Sequence, residues 1–444
     1  MNEDAILVRG SVRGHLVKQT APMMLGVAAI MSIGLVDSYF IGQLGTSELA
    51  AISFIFPISV ALSSLGVGVS VGINSIVARS LGAGDRELAS ERANFGIAFA
   101  AAAGIAISLL LYALLDPLFT LMQADAELLP PIRAYMVPFA FGFPLIMLIM
   151  GLNGVMRGQG EAKKTSLVSI TYAAANWVLD PILITGAFGF EGFGIVGAAY
   201  ATIIGWVIGM VLGFWLLSGT KLPFKIGRLR QCEIGPSIKA ISGVAGPAAF
   251  SNAINPIGLS VLTALVATQS QAAVAGFGAA GRLQSFAVVP LLALSGAIGA
   301  IVGQNWGANK ADRSREAMLW AGTFCVGYGL VLALVLSTYG EWFADIFTES
   351  PAVIAEFSQY LQIAAWGYAG FGLLIVGNGA LNAVGKSGWA LFQSFARVFL
   401  VMLPVAWFLR PTLGTSGLYG AELAANAAGG ALAIAVVWRA LKRK

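Results

Sequence analysis

"LVKQTAPMMLGVAAIMSIGLVDSYFI", residues 16–41, decides the class of fold. A helix needs about 20 mostly apolar residues to cross the hydrocarbon core of a bilayer, and this stretch exceeds that length. Its only charged groups are Lys18, at its start, and Asp37, near its far end. A carboxylate at bilayer depth costs about 2.5–3.5 kcal/mol on insertion scales, so such a group faces protein or water and often serves a function. What surrounds Asp37 is therefore the question the rest of the chain has to answer.

The whole chain repeats the apolar character of that stretch. It has 444 residues, 58% hydrophobic and 11% charged, where a soluble domain carries roughly 25% charged residues. Apolar windows predict twelve helices over 16–41, 48–77, 93–115, 132–156, 166–187, 193–217, 238–267, 278–303, 316–338, 354–381, 389–409 and 417–438. The expected class is an all-α membrane protein. The polar start "MNEDAILVRGSVRGHLVKQ" leads into a run of span length, which reads as a first span rather than a cleaved signal. Cys232 and Cys325 are the only cysteines and His15 the only histidine, which argues against a disulfide framework and a multi-histidine metal site.

Charge placement sets the orientation. Of 26 Lys and Arg, all but Arg133, Arg282, Arg397 and Arg410 fall in the N-terminal tail, the even-numbered loops and the C-terminal tail, including Arg157, Lys163, Lys164, Lys221, Lys225, Arg228, Arg230, Lys239, Arg439, Lys442, Arg443 and Lys444. Basic loops stay in the cytoplasm. Both termini are thus expected there, in a multi-pass protein of the bacterial inner membrane. The net charge of +5 is explained by this topology and by anionic lipid, with no nucleic-acid partner.

The two halves resemble each other. "ARSLGAGDRELASERA" (78–93) matches "GQNWGANKADRSREA" (303–317) at a shift of 225, and "GIVGAAYATIIG" (194–205) matches "GLYGAELAANAA" (417–428) at a shift of 223. Six spans per half give the halves the same orientation, so two parallel pseudo-symmetric lobes are expected, 1–217 and 238–444, joined by a basic linker at 218–237. A cavity between two such lobes is a common transporter plan.

The first half holds a second intramembrane acid, Asp180. At 1.5 Å per residue Asp37 lies about 31 Å and Asp180 about 21 Å from the cytoplasmic starts of their helices, both in the outer half of the membrane. Asn176, four residues before Asp180, shares its helix face. Thr202 reaches a similar depth from the other side. At shifts of 225 and 223, Leu262 and Leu403 replace the acids in the second half, which keeps Pro404 where the first has Pro181. The asymmetry points to a specialised cation or proton site at Asp37, Asn176, Asp180 and Thr202. Pro22, Gly26 and Gly34 mark a hinge in the first helix. Arg282 and Arg397 are secondary charge sites, the first as an anchor near the outer interface and the second about 12 Å into its helix, within snorkelling reach of the cytoplasm.

The stretches "GLVDSYFIGQLGTSELAAI", "SIVARSLGAGD", "NGVMRGQGEAKKT", "NWVLDPILI" and "GIVGAAYAT" together resemble the multidrug and toxic compound extrusion (MATE) transporters, across nearly the whole chain, and most nearly the DinF-like branch. The resemblance implies two lobes around a V-shaped central cavity. It also implies secondary antiport of varied cationic or amphipathic small molecules against H⁺ or Na⁺, with no enzyme activity and no fixed cofactor. In that branch an acid on helix 1, the Asn and Asp of helix 5 and a nearby helix 6 threonine form the cation site, which map to Asp37, Asn176, Asp180 and Thr202. The NorM branch uses acids on helices 7 and 10, where this chain has Pro256 and Phe371. Proton coupling is the expectation, with Na⁺ at the same four oxygen-bearing residues as the rival. A lipid-linked oligosaccharide flippase is the competing function, with Arg282 and Arg397 as its cationic candidates. The expected partners are small drugs or toxic compounds and the bilayer, and the expected working unit is a monomer.

Overall fold

A computed structural model describes residues 4–187 and 189–442; Arg443 and Lys444 of the basic tail lie outside the described residues. The described chain is helical, and its crossings are numbered here from the N-terminus. The first six are α1 (Val12–Gly42), α2 (Thr46–Ala83), α3 (Arg86–Leu121), α4 (Leu129–Gly158), α5 (Ala162–Thr185) and α6 (Ile195–Ser218). They are followed by α7 (Ile234–Ala267), α8 (Gln271–Ala287 and Val289–Gly307), α9 (Ala311–Thr338) and α10 (Pro351–Ala383). The last helical run, Ser387–Ala440, is two crossings, because Gly414 inside it has φ 56° and ψ −131°; residues 387–413 form α11 and 415–440 form α12. The sequence window for α8 began seven residues late, since "QAAVAGF" at its start is weakly apolar, and it passed over the break at Val288.

Local chemistry accounts for the helix ends. Ser11, Asp85 and Ser270 each accept a hydrogen bond from a backbone N–H in the first turn that follows, those of Gly14, Leu88 and Ala273. Gly84 closes α2 in the left-handed conformation at φ 87°. Near the end of α5, Pro181 lacks the N–H that would bond the carbonyl of Trp177, and the chain widens there into a π turn over Pro181–Thr185. The matching helix α11 widens over Ala396–Met402, just before Pro404.

Each half has an apolar core, and the cores join across the seam through Ile241, Ala245, Leu16 and Met23. One runs through α2, α3, α4 and α6 around Ile73, Ile97, Met147 and Leu152. The second half has its own, around Leu291, Ile298 and Ala380 near one end and Tyr360, Tyr419 and Leu262 near the other. Among the described residues the two lobes meet along the half of the protein that carries the termini and the basic loops, called the basic end below. There α2 packs into α7 and α8 through small residues. A Cβ on Gly82 would sit 2.0 Å from the Gln304 carbonyl oxygen, and one on Gly68 would sit 2.5 Å from that of Ala245. Gln304 fastens the junction, accepting from the Leu7 N–H (3.1 Å) and donating to the Gly158 carbonyl (2.8 Å). The N-terminal segment spans the seam, with Asp4 paired to Arg86 and Lys221 while Asn305 and Lys310 donate to the Leu7 and Val8 carbonyls. Away from this end the lobes part, giving the V-shaped central cavity.

The repeat register needs one correction. A shift of 225 carries α1, α2 and α3 onto α7, α8 and α9, but for the sixth helix the structure replaces 223 by 220. Gly194 (φ 62°, ψ −140°) and Gly414 (φ 56°, ψ −131°) turn the chain identically into α6 and α12. Three residues later, Gly197 and Gly417 each press against a carbonyl of the preceding helix, that of Leu183 or Leu409. In this register Thr202 corresponds to Glu422.

Candidate ion and substrate site

Asp180 is fully buried (0% exposed) and Asn176 nearly so (1%), while Asp37 and Thr202 are half-buried. The structure brings all four together between α1, α5 and α6. Asn176 Nδ2 donates to Thr202 Oγ1 at 3.3 Å, and the carboxyls of Asp37 and Asp180 face each other within hydrogen-bonding range. Four acceptor oxygens in this group have no donor: Asp37 Oδ1, both Asp180 oxygens and Asn176 Oδ1. Burying an ionised carboxylate without a partner costs several kcal/mol. Such a cluster is suited to a shared proton or a small hard cation, either of which satisfies oxygen acceptors. The Tyr135 hydroxyl on α4 stands beside Thr202 and faces both acids. Sequence reading passed over it, because a tyrosine in a membrane helix is ordinarily an interfacial anchor.

The hinge residues behave differently from one another. Helix α1 runs unbroken through Pro22. Gly26 serves close packing, since a Cβ there would lie 3.1 Å from Ser166 Cα, whereas Gly34 has no neighbour within 4 Å of that point. The C-terminal lobe carries a polar group of its own. Glu422, 2% exposed, accepts from Gln284 Nε2 (3.1 Å) and the Tyr360 hydroxyl (3.0 Å). Tyr360 is the counterpart of Tyr135 at the 225 shift, so each lobe sets a tyrosine of its fourth helix beside a polar residue of its sixth. Glu422 stands in "GLYGAELAANAA", where a lone acid carries no spacing signal that marks it as a site.

Both candidate arginines depart from expectation. Arg397 does not snorkel; it is 3% exposed, donates to Asn426 Oδ1 (2.6 Å) and to Asn255 Oδ1, and lies 5.5 Å from the Phe371 ring centre. Asn255 and Asn426 take up donors that would otherwise require solvent. Arg282 is exposed eleven residues into the first segment of α8, roughly 16 Å from its start rather than at the interface. Arg157, read from sequence as a loop residue, belongs to the last turn of α4.

The chain matches the family model MatE over residues 22–182 and 247–408. Among curated relatives, it is 32% identical over 396 residues to the "FAD transporter" of Shewanella oneidensis, covering 88% of this chain and 86% of that one. It is 25% identical over 418 residues to the "Multidrug resistance protein PmpM" of Pseudomonas aeruginosa, with 91% and 87% coverage. Among solved structures, a point mutant of the Vibrio cholerae MATE transporter VcmN superposes with a TM-score of 0.92 at 28% identity over 97% of both chains. An outward-facing multidrug resistance MATE transporter superposes at 0.93 with 24% identity, covering 99% of this chain and 98% of that one. With twelve crossings in two lobes, an extended family match and this structural likeness, the chain belongs to the MATE family of membrane transporters and is not an enzyme.

Proposed function

We propose that the chain is a proton-driven exporter of small amphipathic or cationic compounds, set in the bacterial inner membrane with its basic end in the cytoplasm and built from lobes at 1–217 and 238–444. Asp37, Asp180, Asn176 and Thr202 hold the coupling ion. The observation that carries this reading is the set of four donorless acceptor oxygens buried in one lobe. A proton shared between the two carboxyls removes their repulsion and supplies the missing donor. Sodium at the same oxygens would do so by coordination. An empty, charged cluster attracts a cationic substrate into the N-terminal lobe; a proton arriving from outside removes one of its two negative charges, and α1 repacks with Gly34 as its free point. The lobes then rock against each other to open the central cavity on alternate sides.

The test is transport in proteoliposomes under an imposed pH or Na⁺ gradient. Asp37→Asn should abolish pH-driven efflux while leaving a folded protein, and undiminished pH-driven transport in that variant rejects the role. A second substrate reading, export of flavin dinucleotide, is favoured by the 32% identity to the Shewanella oneidensis transporter; its anionic pyrophosphate would meet the exposed Arg282. Flavin dinucleotide and a cationic dye in the same vesicles separate the two. The flippase reading loses support because Arg397 is engaged by Asn255 and Asn426 within its own lobe.

A further inference from the structure

The guanidinium of Arg157 is a charged group of the N-terminal lobe that the ion site leaves without a use. Its Nε is buried with no partner, and its guanidinium forms no hydrogen bond or ion pair among the described residues. It borders a cavity of about 10 Å³ lined by Met23, Val27 and Ile30 of α1 and Thr165, Ser166 and Ser169 of α5, enough for about one water molecule. Tyr172 is the titratable group beside it. The cavity lies on the same α1–α5 seam as the acid pair. Gly26, which also lines it, is eleven residues from Asp37, and Ser169 is eleven from Asp180, so both helices put the acids about 16 Å above it. Between them lie Tyr172, packed beside Ser169, and Asn176. Below it the seam is closed toward the basic end by Gln19, which donates to the Gly160 carbonyl (2.7 Å) and accepts from the Ala162 N–H (3.2 Å).

The cavity thus lies on the α1–α5 seam between the acid pair and the basic end. An arginine keeps its charge at any working pH, and in a narrow, weakly polar passage a fixed cation opposes the passage of protons and alkali ions. We propose that Arg157 is the leak barrier beneath the ion site: a partnerless guanidinium that confines ion exchange at the acid pair to the opposite end of the protein until the lobes part and water screens it. This rests on the reading of the acid cluster as the coupling site. It adds a residue that acts on passive ion flow rather than on binding.

The experiment is substrate-free proton flux into proteoliposomes holding the full chain, driven by a K⁺/valinomycin potential and read with a trapped pH dye. Arg157→Met should raise the leak about tenfold or more over the parent, and Arg157→Lys should stay close to the parent. Val27→Asp, which sets a carboxylate against the guanidinium from the facing helix, should reproduce the leak without removing Arg157 and guards against a folding defect in the first variant. Adding Asp37→Asn and Asp180→Asn to Arg157→Met should suppress the leak. Variants no leakier than the parent, or a leak that survives loss of both acids, overturn the proposal. So does a parent whose tightness depends on chloride over gluconate, because Arg157 then serves as an anion site. Substrate-driven transport by the parent, measured in the same vesicles, reports separately on the coupling reading.

Discussion

Gln304 offers a direct way to tilt the balance between lobe arrangements. It is fully buried, and its amide reaches the first lobe twice, through the Leu7 N–H at 3.1 Å and the Gly158 carbonyl at 2.8 Å. Gln304→Ala removes both bonds. At about 1 kcal/mol each, closure of the basic end loses about 2 kcal/mol, which is roughly a 30-fold change in the ratio of closed to open forms. The orphaned Leu7 N–H and Gly158 carbonyl find water when the lobes separate, so the loss acts on the closed form alone. The closure does not vanish, because Asn305 and Lys310 still hold the N-terminal segment. Spin labels at Lys163 of α5 and Asp312 of α9, both exposed at the basic end of opposite lobes, report the separation by double electron–electron resonance in a background without Cys232 and Cys325. The variant should gain a longer-distance population. A distance distribution indistinguishable from the parent's would refute the assignment of Gln304 as a fastener between lobes.

Three further outcomes follow from the same geometry. Gly82→Ala puts a methyl 2.0 Å from the Gln304 carbonyl oxygen, so the same labels should show the basic end held apart and transport should fall steeply. Glu422→Ala takes the acceptor from the Gln284 amide and one of two from the Tyr360 hydroxyl, which keeps Gln284 Oε1 at 2.8 Å, a loss of about 1–3 kcal/mol in all; thermal unfolding in detergent should drop, and Glu422→Gln should recover part of the loss. Arg397→Met leaves Asn255 and Asn426 facing an apolar side chain, and should lower the unfolding temperature more than Arg282→Met, which changes an exposed position.

The parts of this molecule that were legible in sequence are those governed by hydrocarbon thickness and helix period. Span length and the one-sided placement of Lys and Arg led to the twelve crossings, and the four-residue spacing of Asn176 and Asp180 put them on one face. What was hidden depended on three-dimensional register. Glu422 pairs with Thr202 only once Gly194 and Gly414 are seen to make the same turn, and a difference in loop length masks that equivalence in a linear alignment. Arg157 looked like a loop cation because two more residues of helix decide whether a guanidinium reaches lipid headgroups or the protein interior. Arg397 has the length to snorkel, and only its neighbours, Asn255 and Asn426, show that it turns inward. Tyr135 carries no signal in a sequence with ordinary membrane aromatics, and becomes notable by what it faces.

The central claim is that substrate and a proton compete for the acid pair. Detergent-solubilised protein in weak buffer with a pH indicator tests it most directly, by counting protons released when a cationic substrate is added. The account predicts release from the parent and none from the Asp37→Asn, Asp180→Asn double variant in the same assay. Substrate binding by the parent with no proton release, or equal release from the double variant, would contradict it.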